Sequence, residues 1–466
     1  MRFPSPPTPA TTLFSAGGGM DRRRFLGLAT TMGLSTAALA ACGGPSTSPS
    51  GAAPAAAPEI DYSGVKPAGQ ITWWSNNPGS SKDVSQQIID TFHAAQPDIK
   101  VTLVTAGKNY EEVAQKFQTA QTAQTGGTLP DLVVFSDVWW FRYYMLKSIV
   151  PLNSLIKAVG IDTADYRDQL LVDYQYQNAQ WAIPWARSTP LFYYNKTHWQ
   201  AAGLPDRAPK TWQEFGEWAP RLQAAPTGVQ HAYQLPALAD YAGWSFQNNL
   251  WGWGGAWSNE WDVTCNGPQA VAALQFLQDS VYKDKWSGVA SKDSTNDLSA
   301  GAVSATVGST GSLVGILRTA KFDVGAGFLP GGPAATSPVC PTGGAGIGIP
   351  KAIPKENQLA AAMFLKFLTS PENTVTFSAA TGYMPVRKSA DTASLTAKAP
   401  QITTAIDQLA VTRVQDRARV FFPGGDQEMA KSCANILTKQ SDVRSEMDQL
   451  KTTLSGIYDH DVQPNI

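Results

Sequence analysis

The sequence predicts an α/β fold in two lobes, on three observations. The chain has 466 residues, more than one ordinary hydrophobic core organises and enough for two lobes with separate cores. After residue 70 short apolar runs rich in β-branched and aromatic residues alternate with amphipathic helical patterns, which argues for βαβ units and a mostly parallel sheet. In mid-chain the apolar segment Gln180-Trp181-Ala182-Ile183-Pro184 runs through Ser188-Thr189-Pro190 into Leu191-Phe192-Tyr193-Tyr194, and reads as a crossing between the lobes. The net charge is -1 and charged residues make up 16%, so no broad field awaits nucleic acid or a membrane surface. An anionic ligand must then be met by a few local groups.

Taken in order, the N-terminus reads as a targeting segment. Arg22-Arg23-Arg24-Phe25-Leu26 makes a twin-arginine start, followed by an apolar stretch from Leu26 to Ala41. That stretch is short against the roughly 20 residues of a membrane span. Leu39-Ala40-Ala41-Cys42 has the form of a lipobox, so residues 1–42 are expected to be a lipoprotein signal peptide, with Cys42 the lipidated first residue of the mature chain. Residues before Met20 carry no such logic, and Met20 is the expected start. Residues 43–67 are dominated by Ala, Pro, Ser and Gly, too poor in large side chains to offset ordering entropy, and read as a flexible tether.

The folded part opens with the strand Ile71–Trp74. A helix follows with Val84, Ile88, Ile89 and Phe92 on one face, then the strand Lys100–Val104. Asn109 and Glu112 have capping-box spacing ahead of Val113 and Phe117, and Leu132–Phe135 reads as the third strand. Ligands of such sheets sit beyond the carboxyl ends of strands, which marks Tyr110 at a loop-to-helix junction and Asp137 just past the third strand. Ala302–Val307 reads as another strand. It ends at Gly308-Ser309-Thr310-Gly311-Ser312, ahead of an apolar helix through Leu313 and Ile316, where hydroxyls and free N–H groups suit an anion.

Once Cys42 is lipidated, Cys265, Cys340 and Cys433 remain, and at most one disulfide can form. They read as buried small hydrophobes. His93, His198, His231 and His460 are scattered and fit no metal motif, and no cofactor is expected.

Several stretches together resemble a known family: Arg187-Ser188-Thr189-Pro190-Leu191-Phe192-Tyr193-Tyr194-Asn195-Lys196, Thr310-Gly311-Ser312-Leu313, Thr342-Gly343-Gly344-Ala345, Thr381-Gly382-Tyr383-Met384-Pro385-Val386 and Ala418-Arg419-Val420-Phe421. The chain resembles extracellular solute-binding proteins of the maltose-binding type, and among them the glycerol-phosphate and glycerophosphodiester receptors of Ugp-type ABC importers. The resemblance implies a two-lobed periplasmic-binding-protein-like fold of type II with a hinged interlobe cleft. Lobe one is expected over residues 68–185 plus 344–380, and lobe two over 186–343 plus 381–466. Residues carried over one by one give Tyr110, Asp137, Ser188, Ser309, Gly344, Tyr383 and Arg419 as the binding set, with Trp244 at an aromatic position beside the ligand. Tyr241 stands where a relative has an aliphatic residue.

Each assignment also makes chemical sense. Asp137 can accept from the two hydroxyls of a glycerol end, and the Arg419 fork suits phosphate oxygens. Tyr241 and Trp244 can cradle a quaternary ammonium, and Gly344 lets a backbone N–H approach a ligand. Plainer readings stand beside these. Asp137 could be a surface carboxylate or pair with Arg142, and Arg419 in Asp416-Arg417-Ala418-Arg419 could form a surface ion pair. Tyr241 and Trp244 could belong to the core with Trp251, Trp253 and Trp257, or Tyr241 could narrow the pocket against large headgroups. As an exposed cleft residue, Arg419 is expected to tolerate replacement by Ala with little loss of stability. Gly344-Ala345-Gly346-Ile347-Gly348 mimics part of a dinucleotide fingerprint but is followed by Pro350 and Pro354 rather than a helix, and is rejected.

The resulting expectation is a monomeric receptor, lipid-anchored on the extracytoplasmic face of the cell membrane. It captures glycerophosphocholine first and sn-glycerol 3-phosphate second, and hands them to the permease subunits of an ABC importer with a cytoplasmic ATPase. One rival is a sugar receptor of the same fold. The other is a secreted glycerophosphodiester hydrolase, which would need a His-rich or paired-carboxylate cluster that the chain lacks at any useful spacing.

Overall fold

The computed structural model describes residues 59–123, 129–239 and 241–466. The twin-arginine segment, Met20, Cys42, the tether as far as residue 58 and Asp240 lie outside the described residues. Among the described residues no helix is long and apolar enough to cross a membrane.

Residues 59–67, expected to continue the tether, are packed instead. Tyr62 is 7% exposed and donates to Gln358 Oε1 at 2.6 Å, and the Ile60 N–H donates to Ser154 Oγ at 2.9 Å. Ile60 and Tyr62 supply the apolar area that the small residues before them lack.

The first sheet begins as the periodicity predicts. Strand β1 (Gln70–Ser75) leads through helix α1 (Lys82–Ala95), with Val84, Ile88, Ile89 and Phe92 buried, to β2 (Lys100–Thr105). Helix α2 (Tyr110–Thr122) then leads to β3 (Leu132–Ser136). The crossing follows as β4 (Ile183–Ser188) and β5 (Pro190–Asn195), parted only by Thr189 and buried at every residue. The second sheet adds β6 (His231–Leu235), β7 (Ser287–Val289), β8 (Val303–Ser309) and β9 (Val324–Gly327), and β10 (Gly343–Gly348) returns to the first.

Strand order is β2-β1-β3-β10-β4 in one sheet and β7-β6-β8-β5-β9 in the other. β1 pairs in parallel with β2 and β3, and β6 with β7 and β8, whereas every ladder involving β10 or β5 is antiparallel. Each sheet is therefore mostly parallel, with one reversed strand. In both cases the reversed strand is the one that arrives from the other sheet.

Two apolar clusters are buried, but they do not divide along the sheets: one takes Trp74, Val133 and Phe135 with Phe192, Tyr233 and Ala305, the other Trp73, Val134 and Phe364 with Leu191, Leu313 and Ile316. The β4–β5 ribbon contributes to both, Phe192 and Tyr194 to the first and Trp185, Leu191 and Tyr193 to the second. Cys265, Cys340 and Cys433 are all buried and unbridged.

Candidate functional site

Local chemistry places the site residues at the ends of these elements. Asn109 Oδ1 accepts the Glu112 N–H at 2.9 Å, and Glu112 Oε2 in turn accepts the Lys108 N–H at 2.8 Å. This capping starts α2 at Tyr110, the residue whose ring turns into the cleft. Asp137 follows β3, and its N–H donates to Gly344 O at 3.2 Å. Ser188 closes β4, opposite Gly343 of β10. Ser309 closes β8, and its Oγ accepts the Gly311 N–H at 3.1 Å, turning the chain into the helix Leu313–Thr319. Tyr241 adopts a left-handed backbone, φ 61°, before the short helix Ala242–Ser245 that carries Trp244.

Tyr110, Asp137, Ser188, Tyr241, Trp244, Ser309, Gly344, Tyr383 and Arg419 all line one cavity of about 100 Å³, together with Ser136 and Gly343. Asp137 and Arg419 meet there. Arg419 Nη1 lies 3.2 Å from Asp137 Oδ2, and its Nε donates to Asp426 Oδ1 at 3.0 Å. Gln415 braces the pair, donating to Asp137 Oδ2 at 2.6 Å and accepting from Arg419 Nη1. Trp244 Nε1 donates to Thr342 O at 2.9 Å. The buried Tyr110 hydroxyl has the Tyr383 hydroxyl beside it, no hydrogen bond reaches the buried Ser136 hydroxyl, and such an orphaned group at a cavity wall is where a ligand's polar atom fits.

Beneath this layer lies a second ionic cluster. Arg187 is fully buried, pairs with Asp173 and donates to Tyr174 Oη at 2.7 Å, and Thr342 Oγ1 also donates to Asp173. Burial works to lower the pKa of Arg419, but Asp137 and Asp426 outweigh it and hold it above the ordinary arginine value. Burial is the largest influence on Asp173 and raises its pKa despite Arg187. Burial, then Tyr383 and Tyr241, lift the Tyr110 hydroxyl well above its ordinary pKa, so it stays a neutral O–H.

Several sequence expectations change here. Arg419 is not an exposed cleft residue: it is 1% exposed and held by two carboxylates. The surface ion pair belongs instead to its neighbour Arg417, with Glu260. Arg142 is not the partner of Asp137, since its guanidinium lies 5.4 Å over the Trp139 ring. Gly344 has φ 96°, and a β-carbon there would run into the Ala186 carbonyl oxygen, so the fold itself requires glycine at this position. The 344–348 glycines lie within β10, where Gly346 and Gly348 pack against Tyr174 and Phe135. Trp251 and Trp257 are buried, whereas Tyr241 and Trp244 are half-buried at the cavity.

Sequence reasoning missed Gln415, which accepts from Arg419 Nη1, and Asp426, which helps hold the Arg419 pKa up. Their spacings from Arg419 form no motif. Only the fold of the Arg417–Val420 turn against the helix Gly425–Lys439 brings Asp426 onto the guanidinium.

The chain is similar in sequence and fold to known proteins. The sequence pattern of the bacterial extracellular solute-binding proteins matches residues 87–404. The sn-glycerol-3-phosphate-binding periplasmic protein UgpB of Escherichia coli K12 is 30% identical over 337 residues, covering 69% of this chain and 75% of that protein. The crystal structure of UgpB from Mycobacterium tuberculosis in complex with glycerophosphocholine shares 42% identity at a TM-score of 0.80, covering 85% of this chain and 100% of that one. The maltose-bound T. maritima MalE3, at 24% identity and a TM-score of 0.73 over 83% of this chain and 99% of that one, shares the fold. With this pattern spanning most of the chain, and its cavity set between two sheets joined by crossing strands, the protein belongs to the bacterial extracellular solute-binding proteins.

Proposed function

We propose that the chain is the receptor of an ABC importer that captures glycerophosphodiesters, glycerophosphocholine first, between its two lobes. It is held at the outer face of the membrane through Cys42 and passes its ligand unaltered to the permease. In this reading lobe one, around the first sheet, presents Tyr110 and Asp137, and lobe two, around the second, presents Trp244 and Arg419. Hinge closure on the ligand signals the permease.

The observation that carries the reading is the charge balance of the cavity. Asp137 and Arg419 are the charged residues of its lining and pair with each other, Asp426 also faces Arg419, and Arg187 pairs with Asp173 behind the wall, so no surplus cation awaits a phosphomonoester of about -1.5 to -2 charges. A zwitterionic phosphodiester adds no net charge, and its ammonium has the Tyr241 and Trp244 rings to face, worth roughly 0.5–2 kcal/mol. Glycerophosphocholine should therefore bind more tightly than sn-glycerol 3-phosphate.

Calorimetric titration with glycerophosphocholine, sn-glycerol 3-phosphate, maltose and trehalose tests this. Tight sugar binding with no phosphodiester response would overturn it, and catalytic release of choline on incubation would refute a pure receptor role.

Two substitutions sharpen the assignment. Asp137→Asn keeps the shape but removes the charged acceptor for the glycerol hydroxyls, and should weaken glycerophosphocholine by about 1.5–3 kcal/mol. Trp244→Leu should weaken glycerophosphocholine more than a diester with an uncharged headgroup. Equal losses for both ligands would count against a cation site at Trp244.

A further inference from the structure

The cavity wall on the Tyr383 side is closed by an arrangement of backbone rather than side chains. Tyr383 is buried, and its ring stacks on Phe377 at 6.0 Å, which in turn packs on Trp185 of β4 at 4.4 Å. The Met384 N–H donates to Arg187 O at 2.9 Å, fixing the segment to the first sheet. The free edge of the ring then meets two glycines from opposite sides of the cleft. Gly79 lies in the turn after β1, and Gly311 in the turn after β8.

Neither position has room for a side chain. A β-carbon built on Gly311 would stand 2.6 Å from Tyr383 Cζ, 2.9 Å from Cε2 and 3.0 Å from Cε1. One built on Gly79 would stand 2.9 Å from Tyr383 Cε2 and 3.4 Å from Gly311 O. Gly79 and Phe377 flank the ring, so if Gly311 gains a methyl group the ring can yield only by leaving its stack on Phe377 for the cavities it lines. Gly311 does not have a left-handed backbone, whereas Gly79 has φ 63°, so alanine at Gly311 isolates the effect of bulk from that of backbone strain.

We infer that Gly311 is an affinity-determining position: its missing side chain lets the Gly311 turn of the second sheet seat against Tyr383 and the Gly79 turn of the first, and this contact sets how far the cleft closes. A methyl group at Gly311 acts as a wedge. It holds the two turns apart, and this costs ligand contact without removing any polar group of the site. The affinity consequence rests on the glycerophosphodiester reading, but the closure consequence does not.

The test compares Gly311→Ala with Gly315→Ala, a control in the following helix where a β-carbon meets nothing within 4 Å. Glycerophosphocholine affinity is measured by calorimetry, and ligand-free interlobe distance by electron paramagnetic resonance between nitroxides at positions 157 and 283. Gly311→Ala should weaken binding on the order of tenfold or more, as overpacking of a buried contact would, and lengthen the mean distance. Gly315→Ala should change neither. Adding Tyr383→Ala to Gly311→Ala removes the clashing ring and should return the distance to the wild-type value, which also covers the case in which the single variant folds poorly. An unchanged distance in Gly311→Ala, or a lengthened one that Tyr383→Ala fails to reverse, overturns the inference. If the wild type ignores glycerophosphocholine, the ligand reading fails while the distance arm still decides the closure.

Discussion

Arg419→Ala is expected to abolish glycerophosphodiester binding and, unlike a change at an exposed cleft residue, to lower the unfolding free energy by about 3–5 kcal/mol, as when one partner of a buried ion pair is removed. The side chain is 1% exposed and lies between Asp137 and Asp426. Its loss removes the cation that these two buried carboxylates share. Chemical denaturation of wild type and variant measures the loss. Asp426→Asn in the Arg419→Ala background should recover part of the stability by removing one of the two buried negative charges, but none of the binding. A variant as stable as the wild type would mean that water reaches the pair and screens it.

The second large effect is expected at Gly344→Ala. A residue other than glycine at φ 96° is strained by about 1–3 kcal/mol. In addition, the new β-carbon would overlap the Ala186 carbonyl across the β10–β4 ladder, and overpacking of this kind costs typically about 1–3 kcal/mol more. The damage reaches the ligand site because Gly344 O accepts the Asp137 N–H. Once β10 shifts, Asp137 loses its backbone anchor and its register with Arg419. Denaturation should show the stability loss and calorimetry a loss of affinity larger than that of Asp137→Asn. Wild-type melting together with wild-type affinity would show that the strand bulges there without penalty.

Most of the architecture was legible in the chain. The periodicity of Val84, Ile88, Ile89 and Phe92 predicted α1, the Asn109/Glu112 spacing predicted where α2 begins, and two apolar segments joined through Ser188-Thr189-Pro190 predicted the crossing. These are local signals, carried by neighbours within a turn or a strand. Residues 59–67 were misread because composition averages a segment, whereas packing depends on single residues such as Tyr62.

The sequence by itself determined the fold class, the strand ends at which ligand groups can stand, and the residue types offered there, a carboxylate after β3 and hydroxyls at the Ser309 turn, while Ser188, Tyr241 and Trp244 came from the family resemblance. Only the tertiary structure decided how those groups are committed. Asp137 and Arg419 lie 282 positions apart, and nothing in local sequence encodes that they pair, that Gln415 and Asp426 complete the network, or that burial turns an apparently free guanidinium into a structural cation. Pairing and desolvation arise only when distant segments share a volume. For that reason the residues that line the cavity could be named from the chain, while their charge pairing and the packing of the Gly311 turn on Tyr383 could not.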